Sequence, residues 1–163
     1  NKLYAVIKIV KEHPHEPIMI FSETISSIKQ LEQMLTANEI KANVIHNRIS
    51  ISKRKEILKR WGKEFYPLLS VHTLEIGYDI PHVRIAIIIA NSSNVNQIAQ
   101  RIGRVIRKSI GKNDALIYIV YVKDTKDNNI LKIVKSTINM EESKTQLKLP
   151  NHGGQRRMSE FYS

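Results

Sequence analysis

Cysteine is absent from all 163 residues. That removes disulfides and thiolate metal centres, and it fits an intracellular chain. No apolar run approaches the length needed to span a bilayer, so no membrane segment is expected. The opening Asn1-Lys2-Leu3-Tyr4 lacks the pattern of a secretory signal and also lacks Met, so a piece of a longer chain is expected. Acidic residues are few, 15 against 26 Lys and Arg, for a formal net charge of +11 and a pI near 9.9. Such an excess favours a polyanionic partner, nucleic acid first, although lysine also decorates ordinary solvated surfaces. The abundance of Ile and Lys leans towards a heat-adapted source. What remains, 163 residues with 42% apolar content, is enough for one well-packed core.

The apolar residues alternate between two periods along the chain. Leu3, Val6, Ile7 and Val10 have helical spacing, and His13-Pro14-His15 ends that helix. Pro17 opens a short buried strand, Ile18-Met19-Ile20-Phe21. Ser22 and Thr24 are placed to cap a helix that turns Ile28, Leu31, Met34 and Leu35 inward. Asn43-Val44-Ile45 is a second strand, followed by a charged helix from about Ser52 to Lys63 with Ile57, Leu58 and Trp61 on its core side. Strands are expected at Pro67 to Val71 and Val83 to Ala90, then a helix over Gln97–Arg107, a strand from Ala115 to Val122, and a helix around Asn129 to Ile138. Near-continuous apolar strands alternating with helices predict a three-layer α/β domain on a mostly parallel sheet, over residues 1–139. Beyond it, residues 140–163 lose periodicity and read as a flexible basic tail.

In such sheets the working loops lie at the carboxyl ends of the strands, and the chemistry-bearing segments fall there. Gln100-Arg101-Ile102-Gly103-Arg104-Val105-Ile106-Arg107 sets Arg104 and Arg107 three residues apart, on one helix face. Two guanidinium forks on one face suit a polyphosphate, and Gly103 keeps the backbone slim for a close approach. A plain basic helix face would need the same residues. Gly77-Tyr78-Asp79-Ile80-Pro81 follows the third strand and is, taken alone, an ordinary turn. Phe21-Ser22-Glu23-Thr24 puts hydroxyls and free amides at a helix start, where either a phosphate or simple capping is served. After the second strand, His46-Asn47-Arg48 offers a cation for a phosphate, with Arg54 a further basic position, while His46 reads as a packed or capping histidine.

The forms F-S-x-T, G-x-D-x-P and Q-x-x-G-R-x-x-R, in this order and each after an expected strand, resemble motifs IV, V and VI of superfamily 2 helicases. Across roughly residues 17 to 122 the chain is similar to their second RecA-like domain, most of all in XPB-type repair helicases and their archaeal relatives. The resemblance implies that Arg104 and Arg107 act as arginine fingers, that Gln100 positions the attacking water or links nucleotide to finger, and that Gly77, Asp79 and Gly103 meet the nucleotide, Asp79 at the ribose. Ser22, Thr24, Arg48, His72 and Thr73 would then contact nucleic acid, DNA in the first place with RNA left open. Val71 departs from the pattern, since relatives often carry a hydroxyl there. Missing altogether is a G-x-x-x-x-G-K-[ST] loop: Gly62-Lys63 and Gly111-Lys112 lack the second glycine and the hydroxyl. No acidic box for magnesium is present either. ATP and Mg2+ would be held mainly by a preceding RecA-like domain, and this chain alone should not hydrolyse ATP.

The remaining candidates are fewer. Six scattered histidines make no metal site, and Trp61 has the spacing of a core residue. In the tail, Gln155, Met158, Phe161 and Tyr162 fit Q-x-x-h-x-x-a-a, which resembles a PCNA sliding-clamp interaction box. One tight helical turn would put the three apolar side chains on one side with Gln155 as a polar anchor. Alternatively, the aromatics fold back on the domain. Two other classes stay open: a non-catalytic adaptor that binds nucleic acid and recruits a clamp, and a duplex translocase that does not separate strands.

Overall fold

A computed structural model describes residues 2–71, 83–91, 97, 100, 115–124 and 129–138. In chain order the elements are α1 (Lys2–Glu12), β1 (Ile18–Ser22), α2 (Ile25–Ala37), β2 (Asn43–Ile45), α3 (Ile51–Arg60), β3 (Pro67–Val71), β4 (Ile85–Asn91), β5 (Ala115–Asp124) and β6 (Asn129–Ile138). They form one six-stranded sheet in the order β2-β3-β1-β4-β5-β6. Every pairing from β2 to β5 is parallel, and β6 runs antiparallel along β5.

Strands β1 and β3 are buried at every residue, as continuous apolar runs must be when helices cover both faces. The two-residue period then sorts their side chains into two cores. Met19, Phe21, Leu68, Ile88 and Ile119 pack on one face with Ile57 of α3 and with Trp61 and Phe65 just beyond it. Ile18, Ile20, Leu69, Val71 and Tyr118 point to the other face, against Val6 and Ile9 of α1 and Ile28 and Leu31 of α2. The result is the expected three-layer arrangement, with α1 and α2 on one side of the sheet and α3 on the other.

Helix ends show how local chemistry sets the loops. Thr24 is the N-cap of α2 and accepts the Ser27 amide at 3.3 Å; Ser50 caps α3 and accepts the Lys53 amide at 3.2 Å. α2 closes with Glu39 N–H donating to Thr36 C=O and Ile40 N–H to Leu35 C=O. This closure needs a left-handed residue, and Glu39 takes that place with φ 59° where glycine is usual. α3 stops at Arg60, earlier than the expected Lys63. Trp61 turns extended, its indole N–H donates to Tyr66 C=O at 2.7 Å, and Gly62 follows at φ 82°. A Cβ on Gly62 would meet the Pro17 ring at 3.0 Å, so glycine serves both the conformation and the close approach.

One expectation is corrected. Residues Asn129–Ile138, expected as a helix, form strand β6, paired with β5 from Asp124↔Asn129 to Ala115↔Ile138. The physical reason lies in composition and context. Ile130, Ile133, Val134, Thr137 and Ile138 are β-branched, and the ladder along β5 pairs the backbone groups of β6 that face it. Among the described residues no helix is long and apolar enough to cross a membrane.

Candidate nucleic-acid interface

β1, β2 and β3 end side by side at the carboxyl edge of the sheet. Ser22 closes β1 in register with Val71, the last residue of β3, and with Ile89 of β4. Ile45 closes β2 opposite Ser70. The loops leaving this edge enter α2 and α3, so both helix N-termini lie there with their orphan amides.

Ser22 is 3% exposed, and its Oγ accepts the Thr24 N–H at 3.3 Å. It therefore shapes the turn from within, whereas Thr24 is exposed. Thr24 Oγ1 is engaged twice, donating to Ser27 Oγ at 2.7 Å and accepting the Ser27 N–H. Capping is thus what the described contacts of both hydroxyls accomplish. On the β2–α3 loop, His46 Nδ1 accepts the Arg48 N–H at 3.1 Å. With Nδ1 an acceptor, the neutral ring carries its proton on Nε2, leaving a donor. His46 is a capping histidine, and its bond turns the chain so that Arg48 stands exposed, without an ion pair among the described residues.

Between the first two turns of α2 and the ends of β2 and β3 lies a groove of about 490 Å³. Ile28 and Val71 are buried in its floor beside the half-buried Val44. Lys29 and Glu32 stand on the helix side, and His46, Asn47 and Arg48 on the loop side. Ile25, at the first position of α2, is 56% exposed at the same groove. Lys29 and Ile25 escaped sequence reasoning, although Ile25, Lys29 and Glu32 follow the i, i+4, i+7 spacing of one helix stripe. Arg54, in the first turns of α3, is half-buried with an Nε that has no partner among the described residues; the same holds for the buried Ser70 Oγ.

Gln100 is helical and exposed, as is Gln97. The other expected site residues, His72, Thr73, Gly77, Asp79, Gly103, Arg104, Arg107 and the tail positions Gln155, Met158, Phe161 and Tyr162, lie outside the described residues. No group of three His, Cys, Asp or Glu able to hold a metal ion occurs among the described residues.

Comparison with known proteins agrees with this geometry. Residues 1–109 match the family model of the helicase conserved C-terminal domain. A DNA 3'-5' helicase XPB of Kineococcus radiotolerans is 28% identical over 131 residues, covering 79% of this chain and 23% of the relative. A DNA 3'-5' translocase XPB2 of Sulfurisphaera tokodaii is 23% identical over 128 residues, covering 78% of this chain and 28% of the relative. The chain thus spans about a quarter of the length of these curated relatives. Among solved structures, the Pyrococcus furiosus Hef helicase domain superposes with a TM-score of 0.57 at 26% identity, over 77% of this chain and 27% of that one. Fold and family match agree: this chain belongs to the helicase conserved C-terminal domain family and has the RecA-like α/β fold of superfamily 2 helicases.

Proposed function

We propose that the chain is the C-terminal motor domain of an ATP-dependent superfamily 2 helicase or translocase acting on DNA. The observation that carries this reading is the convergence of Ser22–Thr24, His46–Arg48 and Val71 on one carboxyl edge of a parallel sheet, within a helicase C-terminal domain. Nucleic acid runs over that edge, held by Thr24, Arg48, His72 and Thr73, while the buried Ser22 shapes the turn beneath it, and the net charge of +11 draws the strand in.

Catalysis is shared with a preceding RecA-like domain, which cradles ATP and holds magnesium, since this sequence contains neither a phosphate loop nor an acidic box. Gly77, Asp79 and Gly103 line this chain's side of the nucleotide site. Arg104 and Arg107 reach the γ-phosphate as water attacks phosphorus and ADP leaves. Their fixed charge offsets the negative charge spread over the transferring oxygens, and Gln100 orients the water. Loss of the γ-phosphate removes the ligand that holds the two domains together, so the grip on the strand alternates with hydrolysis.

The test is DNA-stimulated ATPase of the longer protein carrying this chain, wild type against Arg104→Ala and Arg107→Ala. Turnover should fall by about 10³–10⁵, the range an arginine finger contributes, with folding retained. Near-normal turnover in either variant removes that residue from the finger role. An inactive wild type that still binds DNA would favour the adaptor reading. Gln155, Met158, Phe161 and Tyr162 are proposed as a sliding-clamp contact, on the spacing of their sequence alone. Calorimetric titration of a peptide of residues 151–163 into PCNA decides it, and silence there removes the partner.

A further inference from the structure

The groove beside α2 is built differently from a site for phosphate alone. Its floor, Ile28, Val44 and Val71, is aliphatic, and Ile25 extends that apolar surface outward with 56% of its area in water. An isoleucine so exposed gains its own fold little; laid against a flat ring it would leave water. Cations stand only at the rim, Lys29 on one side and Arg48 on the other, with Glu32 on the helix wall. Glu32 would repel a phosphate seated in the groove, yet it is a good acceptor for the exocyclic amine of a base. His46, with Nδ1 taken by the Arg48 amide, presents an Nε2–H donor, and Asn47 has both a donor and an acceptor. An apolar floor, a few polar groups able to read an edge, and cations outside together match one nucleotide unit. Its volume of about 490 Å³ lies in the range of small-molecule pockets, about 300–1,000 Å³.

We infer that this groove is a base-binding subsite: one unstacked base of a single strand lies over Ile25, Ile28, Val44 and Val71, while its flanking phosphates meet Lys29 and Arg48. The inference rests on the nucleic-acid reading above and deepens it, because backbone contacts alone require no base to leave the stack. A duplex cannot supply such a base without unpairing, so the groove selects single-stranded over double-stranded substrate at this step.

Abasic scanning tests it. The full chain is titrated, by fluorescence anisotropy at low salt, with oligodeoxynucleotides of one sequence in which a single abasic site is moved position by position. One position should weaken binding about tenfold, the change that 1.4 kcal/mol produces, while its neighbours stay near the intact strand. Ile25→Gln, a neutral change at an exposed site, should bind the intact strand about tenfold more weakly and lose the positional dip. Arg48→Ala should weaken all the oligonucleotides alike and keep the dip. A flat profile with tight binding overturns the base subsite and leaves the nucleic-acid reading standing. A dip that persists in Ile25→Gln moves the base elsewhere and also overturns it. Failure to bind any oligonucleotide overturns both readings.

Discussion

The two edges of the sheet are built on opposite plans. At the amino ends of the parallel strands, side chains close on one another. His13 pairs with Glu16 through Nδ1 at 2.7 Å and with the fully buried Tyr118 through Nε2 at 2.9 Å, tying the turn after α1 to β5. Trp61 bonds Tyr66, His15 meets Tyr66 edge-on with ring centroids 5.5 Å apart, and Gly62 lets Pro17 press against the backbone. At the carboxyl ends the described polar contacts are short-range: Ser22 to Thr24, Thr24 to Ser27, His46 to Arg48 and Ser50 to Lys53. They shape loops and leave Lys29 and Arg48 in water. The His13–Tyr118 contact thus joins residues 105 apart at the amino ends, while Ser22–Thr24, Thr24–Ser27, His46–Arg48 and Ser50–Lys53 each join residues two or three apart at the carboxyl ends.

Substitutions should divide along that line. The largest effect on stability is expected at the closed edge from Trp61→Ala, which removes a 6%-exposed indole and its hydrogen bond. Urea unfolding should show a loss of about 3–5 kcal/mol; a loss below about 0.5 kcal/mol, within the scatter of ordinary surface changes, would mean that edge is not closed as described. Next is Tyr118→Phe, which keeps the ring and leaves His13 Nε2 without its described partner. A cost of about 1–2 kcal/mol is expected, with DNA affinity unchanged; lowered affinity would couple the two edges and break the comparison. The smallest effect on stability belongs to Arg48→Ala, within about 0.5 kcal/mol of wild type. Binding, by contrast, should weaken, and the slope of log K against log salt should drop by about 1, one phosphate contact fewer. An unchanged slope would take Arg48 out of the interface.

Much of this was legible in the residues because it is local. Asn43–Ile45 and Pro67–Val71 are strands at the expected boundaries, since a short apolar run between polar turns has few other ways to bury itself. Thr24 before Ile25 announces a helix start because a β-conformation hydroxyl there meets an amide three residues on. Where the reading failed, the deciding contact was distant or the signal ambiguous. In Asn129–Ile138 the apolar positions fit a helical stripe, yet the segment pairs with β5. Extending α3 through Gly62-Lys63 missed that Trp61 turns its indole to Tyr66. The groove could not be read at all, because its halves, Ile25 to Glu32 and Val44 to Arg48, share a wall only once β2 takes the sheet edge beside β3.

The sequence by itself determined the class of fold, the order of its motifs and the sign of its field, because periodicity, residue chemistry and charge need no knowledge of neighbours. It also shows that no G-x-x-x-x-G-K-[ST] stretch occurs in these 163 residues, since such a loop is spelled out in consecutive residues or is not. Tertiary structure alone decided which strand lies beside which, that β6 closes the sheet antiparallel, and that an exposed isoleucine, a buried valine and two cations border one groove. Those outcomes depend on pairing between segments tens of residues apart, where the free energy of packing, not local preference, selects the arrangement.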